Sequence, residues 1–137
     1  MYEPIRTKSV HTMAGASDFP HRSREEELDI QLAGHLAALL AVTDELRALA
    51  PSDDLDTAAA RLADQVARLR GGQAPVRSVV SPVSEPHLAA LHERAHALAG
   101  RALVVAASRA DTAAAILAAE RMDAHAEALG PREVAAG

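Results

Sequence analysis

Residues 84–130 read SEPHLAALHERAHALAGRALVVAASRADTAAAILAAERMDAHAEALG, and this stretch decides the fold. Its only proline is Pro86, at the start, and its only glycine before the closing Gly130 is Gly100. The rest is dense in Ala, Leu and charged residues, a helix-forming mixture. Ser84 suits an N-cap, because its hydroxyl can accept from a free first-turn N–H. Glu85 suits the positive end of the helix dipole, and Pro86 is tolerated in a first turn whose N–H groups lack partners. At the far end Gly130 can adopt a left-handed conformation and Pro131 blocks continuation.

Two apolar stripes run along this stretch. The first is Leu88, Leu91, Ala95, Leu98, Ala102, Val105, Thr112, Ile116 and Ala119, interrupted by Arg109 and followed by Asp123. Its alternating three- and four-residue spacing marks a helix seam. Beside it lie His92, His96, Ala99, Leu103, Ala106, Ala110, Ala113 and Leu117. A helix apolar over most of its circumference is buried among several neighbours. Either it lies in the middle of a bundle or a second subunit covers one stripe. Leu103, Ala106, Ala110, Ala113 and Leu117 are the contacts expected for that subunit or for another helical partner. A continuous helix over 85–129 would be roughly 65–70 Å long. The alternative is a break near 108–111, with Asp111 as a fresh N-cap. Ser108-Arg109-Ala110-Asp111 holds neither Gly nor Pro, which tips the reading towards continuity.

Upstream, Ser23-Arg24-Glu25-Glu26 fits a capping box and opens a first helix over about 24–50. Its seam is Leu28, Leu32, His35, Leu39, Val42, Leu46 and Leu49, widened by Leu36 and Leu40. Pro51-Ser52 ends it. A second helix over about 53–70 follows, with seam Leu55, Ala59, Leu62, Val66 and Leu69, three early aspartates, and Gly71-Gly72 as its stop. So short a link implies an antiparallel hairpin. Residues 71–83 form a Gly/Pro/Val linker too apolar for a free tether, expected to lie extended along the bundle. Residues 1–22 are polar and aperiodic and read as a flexible arm; 131–137 read as a short tail. The fold class is therefore all-α, one antiparallel helical bundle over 23–130.

Composition narrows function by exclusion. Hydrophobic residues make up 49% of the 137 but aromatics only 1%, Tyr2 and Phe19 alone, so the core must be Leu, Val, Ile and Ala. Alanine seams bury little area, and self-association is the natural supplement. There is no Cys, hence no disulfide and no thiolate chemistry. The net charge of −5 is concentrated in 23–70, where acids outnumber arginines two to one. With no basic stripe and no stacking aromatics in the helices, nucleic-acid binding is not expected. No apolar run reaches the 18 or so residues of a membrane span, and no apolar stretch follows Arg6 and Lys8 as a signal peptide requires. The expected setting is the cytoplasm. A lone lysine, Lys8, among 14 basic residues and an excess of Ala point to a GC-rich bacterial source.

One motif carries sharper chemistry. His92-Glu93-Arg94-Ala95-His96 matches H-E-x-x-H, and in this it resembles the zincin metalloprotease signature. Residues i and i+4 share a helix face, so two imidazoles can hold one Zn²⁺ while the Glu activates its water. The resemblance implies a third ligand downstream, for which Glu120 is the candidate; it covers five residues, and no strand sequence accompanies it. If the chain folds back near Ala110, His92 and His96 instead meet Asp123 and His125, a bundle metal site of His92, His96, Asp123 and His125 for Zn²⁺ or another divalent ion. His35, in its seam, is expected to fix register; if buried, its charging would loosen the bundle below roughly pH 6. Arg109 and Asp123, which interrupt the stripe, are each expected to snorkel or pair at the surface; the alternative is a cross-subunit ion pair that sets the register of a dimer. The residues together point to a non-enzymatic interaction, scaffold or regulatory protein without a cofactor, acting as a homo-oligomer or on a helical partner. A metal-binding bundle is the alternative.

Overall fold

In a computed structural model, which describes residues 23–77 and 87–130, the chain forms four α-helices. They are α1 (Arg24–Leu49), α2 (Asp53–Leu69), α3 (His87–Arg109) and α4 (Thr112–Leu129). There is no strand among the described residues. The arm, the tail, the Ser84 cap with Pro86, and linker residues Val79, Val80 and Val83 lie outside the described residues.

Local chemistry sets each boundary. Ser23 Oγ accepts from Glu26 N at 3.0 Å while Ser23 N donates to Glu26 Oε1 at 2.8 Å, a reciprocal capping box that starts α1. Ser52 Oγ accepts from Leu55 N at 3.1 Å and starts α2. Gly71, at φ +71°, turns the end of α2, and Gly72 N donates to Ala67 O at 2.7 Å. From there the chain runs back along α1, where the Arg77 guanidinium forks onto Asp44 at 2.7 and 2.9 Å.

The long C-terminal helix is not continuous. Ala110 N donates to Ala107 O at 3.1 Å and Asp111 N to Ala106 O at 2.8 Å, with Ala110 at φ +59°. This is the Schellman termination, with alanine in the left-handed position that glycine usually fills. Asp111 then caps α4, its Oδ1 accepting from Ala114 N at 3.2 Å. The continuous reading fails because an exposed alanine accepts that strain and the next residue is a strong N-cap.

Every packed pair of helices is antiparallel. α1 packs on α2 and on α3, α3 packs on α4, and α2 meets α4 only sparsely. Along that loosest seam, side chains carry the contact. Arg68 reaches Asp111 at 2.7 Å, Arg61 reaches Glu120 at 2.7 Å, and Arg121 reaches Asp54 at 3.0 Å. The core is Leu32, Leu36, Leu39, Leu40, Val42 and Leu46 of α1 against Leu62 and Val66 of α2 and the alanine-rich inner faces of α3 and α4. Because α1 serves two neighbours, its buried arc is wider than a two-helix seam. Leu36 and Leu40 are fully inside, and His35 is moved to the half-buried edge. Thr43 is buried too, its hydroxyl donating to Leu39 O at 2.8 Å. Arg109 pairs with Asp29 of α1 at 3.0 Å.

The turn at 110–111 also resets the phase of both stripes. Leu91, Ala95, Leu98 and Ala102 face inward, but Thr112 and Ile116, expected on the same seam, face outward. In α4 the inward face is Ala114, Leu117, Ala118, Arg121 and His125.

Candidate functional site

Two features stand out: a polar cluster buried at one end of the bundle and an apolar face on the α3–α4 hairpin that no other described residues cover.

The cluster begins with Arg121 and His125, four residues apart and so on one face of α4, here the inner one. His92 comes from α3 and Asp54 from the first turn of α2. His92 Nδ1 and His125 Nδ1 are 2.9 Å apart. Arg121 Nη2 approaches His125 Nε2 at 3.4 Å, and Arg121 Nη1 donates to both oxygens of Asp54 at 3.2 and 3.0 Å. These contacts fix the tautomers. A guanidinium can only donate, so His125 Nε2 accepts and its proton sits on Nδ1. That proton faces His92 Nδ1, which therefore accepts and carries its own proton on Nε2. Both rings are neutral in this chain, and protonating either would set N–H against N–H.

Burial agrees with the geometry. His125 is 1% exposed, and desolvation, then the Arg121 charge, push its pKa down to about 4. His92 shifts down as well, by burial first and then by Arg121. Arg121 is 4% exposed, and its Nε has no hydrogen-bond partner. The group lines a cavity of about 210 Å³ floored by Leu46, Ala50 and Leu55.

The structure brings together only half of the expected metal set. His92 and His125 meet, whereas His96 is half-buried one turn along and Asp123 points to solvent. Among the described residues no three of His, Cys, Asp and Glu come together as a metal cage. The Arg121 guanidinium beside His125 also puts a fixed positive charge where a cation would sit, so these residues do not fit a bound metal ion. The zincin-like set is not assembled either. Glu93 is exposed, and Glu120 is engaged by Arg61 on the α2–α4 seam. Arg121 and Asp54 escape sequence reasoning. The one reads as a surface arginine and the other as an ordinary first-turn acid. The available signal is the i, i+4 pairing of Arg121 with His125 on α4.

The second feature is the outer face of α3 and α4. Val104 is 66% and Ile116 51% exposed. Ala97 and Ala107 of α3 and Thr112 and Ala126 of α4 lie exposed around them. Between the two helices near the turn runs a shallow hollow of about 290 Å³, lined by Ala107, Ala110, Thr112, Ala115, Ile116 and Ala119 among others. Further along the same pair of helices the end of the Met122 side chain packs over Gly100, where a Cβ would stand 3.6 Å from Met122 Cε, an ordinary contact. Of the five expected interaction residues, Ala110 and Ala113 are exposed at this end and Leu103 is half-buried. Ala106 and Leu117 are in the core, at 0% and 1% exposure, so the five do not form one free face.

No family model, curated protein or solved structure matches the chain. No described helix is long and apolar enough to cross a membrane.

Proposed function

We propose that this chain is a small, non-enzymatic helical interaction protein that self-associates, and that its working surface is the outer face of the α3–α4 hairpin. The observation that supports this is the exposure of Val104 and Ile116 over an alanine-lined hollow that no described helix covers. Apolar side chains scattered singly on a surface need no explanation, but a contiguous patch on adjacent helices marks a contact. Small residues on this face let another helix approach closely, while Val104 and Ile116 supply the branched side chains that fill the gap. The cytoplasmic, bacterial setting expected from composition goes with this reading. The test is the sedimentation of the full chain over a range of concentrations. Wild type should move from monomer to dimer as concentration rises. Val104→Glu and Ile116→Glu should shift it towards monomer, with helical content and melting unchanged because both positions are exposed. A wild-type chain that stays monomeric throughout, or an oligomer indifferent to both substitutions, contradicts the proposal.

A further inference from the structure

The charges that frame this face identify its occupant. On α3 the outer arginines are Arg94 and Arg101, seven residues apart and both exposed; on α4 the outer acids are Asp123 and Glu127, also exposed, while Glu120 is held by Arg61. By helical spacing Val104 and Ala97 lie between the arginines and α4; Ala119 lies between the acids and α3, and Ile116 lies in the strip of Asp123 and Glu127. The face therefore has an apolar middle, a basic edge on one helix and an acidic edge on the other. Glu93 is the one acid on the outer side of α3.

We propose that the face is covered by a second copy of this chain, related by a two-fold axis running along the hairpin, so that each α3 lies antiparallel on the partner's α4. This rests on the self-association reading above and adds its geometry. A two-fold interface uses the same patch twice, so the patch must complement itself. Two two-fold axes in the plane of the face are possible. An axis across the hairpin would lay α3 on α3 and α4 on α4, setting arginines against arginines and acids against acids. An axis along the hairpin lays the basic edge of each copy on the acidic edge of the other.

The heights of the residues then bring the two edges together. Within one chain the Gly100 backbone lies against the end of the Met122 side chain and His92 meets His125, so levels on the two helices match to within about a turn. Arg101 accordingly comes within side-chain reach of the partner's Asp123, and Arg94 of the partner's Glu127. Val104 comes down over the partner's Ala115 and Ala119, a branched side chain onto alanines. The patch spans about ten residues of each helix and two helix widths, roughly 15–20 Å by 20 Å, so about 300–400 Å² a side. That is well under the roughly 800 Å² a side of a stable specific interface and predicts a weak, readily reversible dimer.

Sedimentation equilibrium of the full-length chain, at about 50 and 500 mM NaCl, tests the arrangement with four variants. They are Val104→Glu, Arg101→Glu, Asp123→Arg and the double Arg101→Glu/Asp123→Arg. All change exposed positions, and circular dichroism checks that each is folded. Each charge reversal should weaken the dimer about tenfold at low salt, because symmetry doubles every contact, and the effect should shrink at high salt. The double reversal restores every cross-pair and should bring Kd back to within about threefold of wild type. If Val104→Glu dissociates the dimer but the two reversals add instead of cancelling, the face is right and the two-fold arrangement is wrong. If the wild-type chain is monomeric, or if Val104→Glu leaves the dimer intact, both this arrangement and the reading beneath it fall.

Discussion

Ala110→Gly is the substitution whose sign reports the path of the chain at the turn between α3 and α4. Ala110 stands at φ +59°, the left-handed region, between the last turn of α3 and the Asp111 cap of α4. An L-residue with a Cβ is strained there by about 1–2 kcal/mol, and glycine is not. Glycine also has more freedom in the unfolded chain, which opposes the gain by about 0.4–1 kcal/mol. Ala110 is exposed, so removing its methyl opens no cavity. The net expectation is a stabilisation of about 0.5–1 kcal/mol. For a chain of this size that raises Tm by about 2–4 °C. Scanning calorimetry or a circular dichroism melt at pH 7.5 reads the shift. In an unbroken helix the same glycine would cost about 1 kcal/mol and lower Tm by a few degrees. A fall in Tm would therefore refute the turn and with it the placement of α4.

Three further outcomes follow from named contacts. Asp111→Ala removes both the α4 cap and the partner of Arg68, and should destabilise by about 1–2 kcal/mol in urea unfolding; Asp111→Asn, which keeps the cap, should recover most of that loss. Burial holds His125 neutral in the fold, with a pKa of about 4 against an unfolded value near 6.5, so below pH 6.5 the unfolded chain binds the extra proton. Stability from His125 is complete above pH 6.5 and is lost as pH falls towards 4, by about 3 kcal/mol at most, with His92 acting in the same direction; His125→Leu should flatten that acid limb. Arg121→Met replaces a buried charge by a side chain of similar length and should leave stability within about 1 kcal/mol, while the His125 pKa, followed by NMR titration, moves up once the neighbouring cation is gone.

The first hairpin is readable from sequence because each of its boundaries has a dedicated residue: the Ser23 capping box, Pro51-Ser52 at the turn, and Gly71-Gly72 at the stop. The α3–α4 turn is not, because its left-handed residue is an alanine. Only Asp111 marks the place. That single ambiguity propagates. Carrying one helical phase through Ala110 sets Leu117 beside Leu103 on a shared outer face, whereas the turn sends Leu117 inward and brings Ile116 out. The histidines fare better, since antiparallel folding alone brings His125 to about the level of His96, one turn from His92. Asp123 fails as their companion because the inward face of α4 is set by Arg121 and His125, and a residue two positions from each faces the other way. Arg121 itself is hidden from pattern reading, which assigns arginines to the surface. Its burial depends on Asp54 waiting at the start of a different helix.

Self-association through the α3–α4 face is tested most directly by whether that face comes together in two copies. The chain has no cysteine of its own, so Ala97→Cys gives a single spin-label site on that face. Pulsed electron–electron dipolar spectroscopy at about 200–500 µM protein should show an inter-subunit distance of roughly 15–30 Å, the reach of two labels across helices packed about 10 Å apart. A label at exposed Ala60 on α2, away from this face, should give a clearly longer distance. An Ala97 label with no dipolar coupling at that concentration, or one as far from its mate as the Ala60 label, would contradict the account.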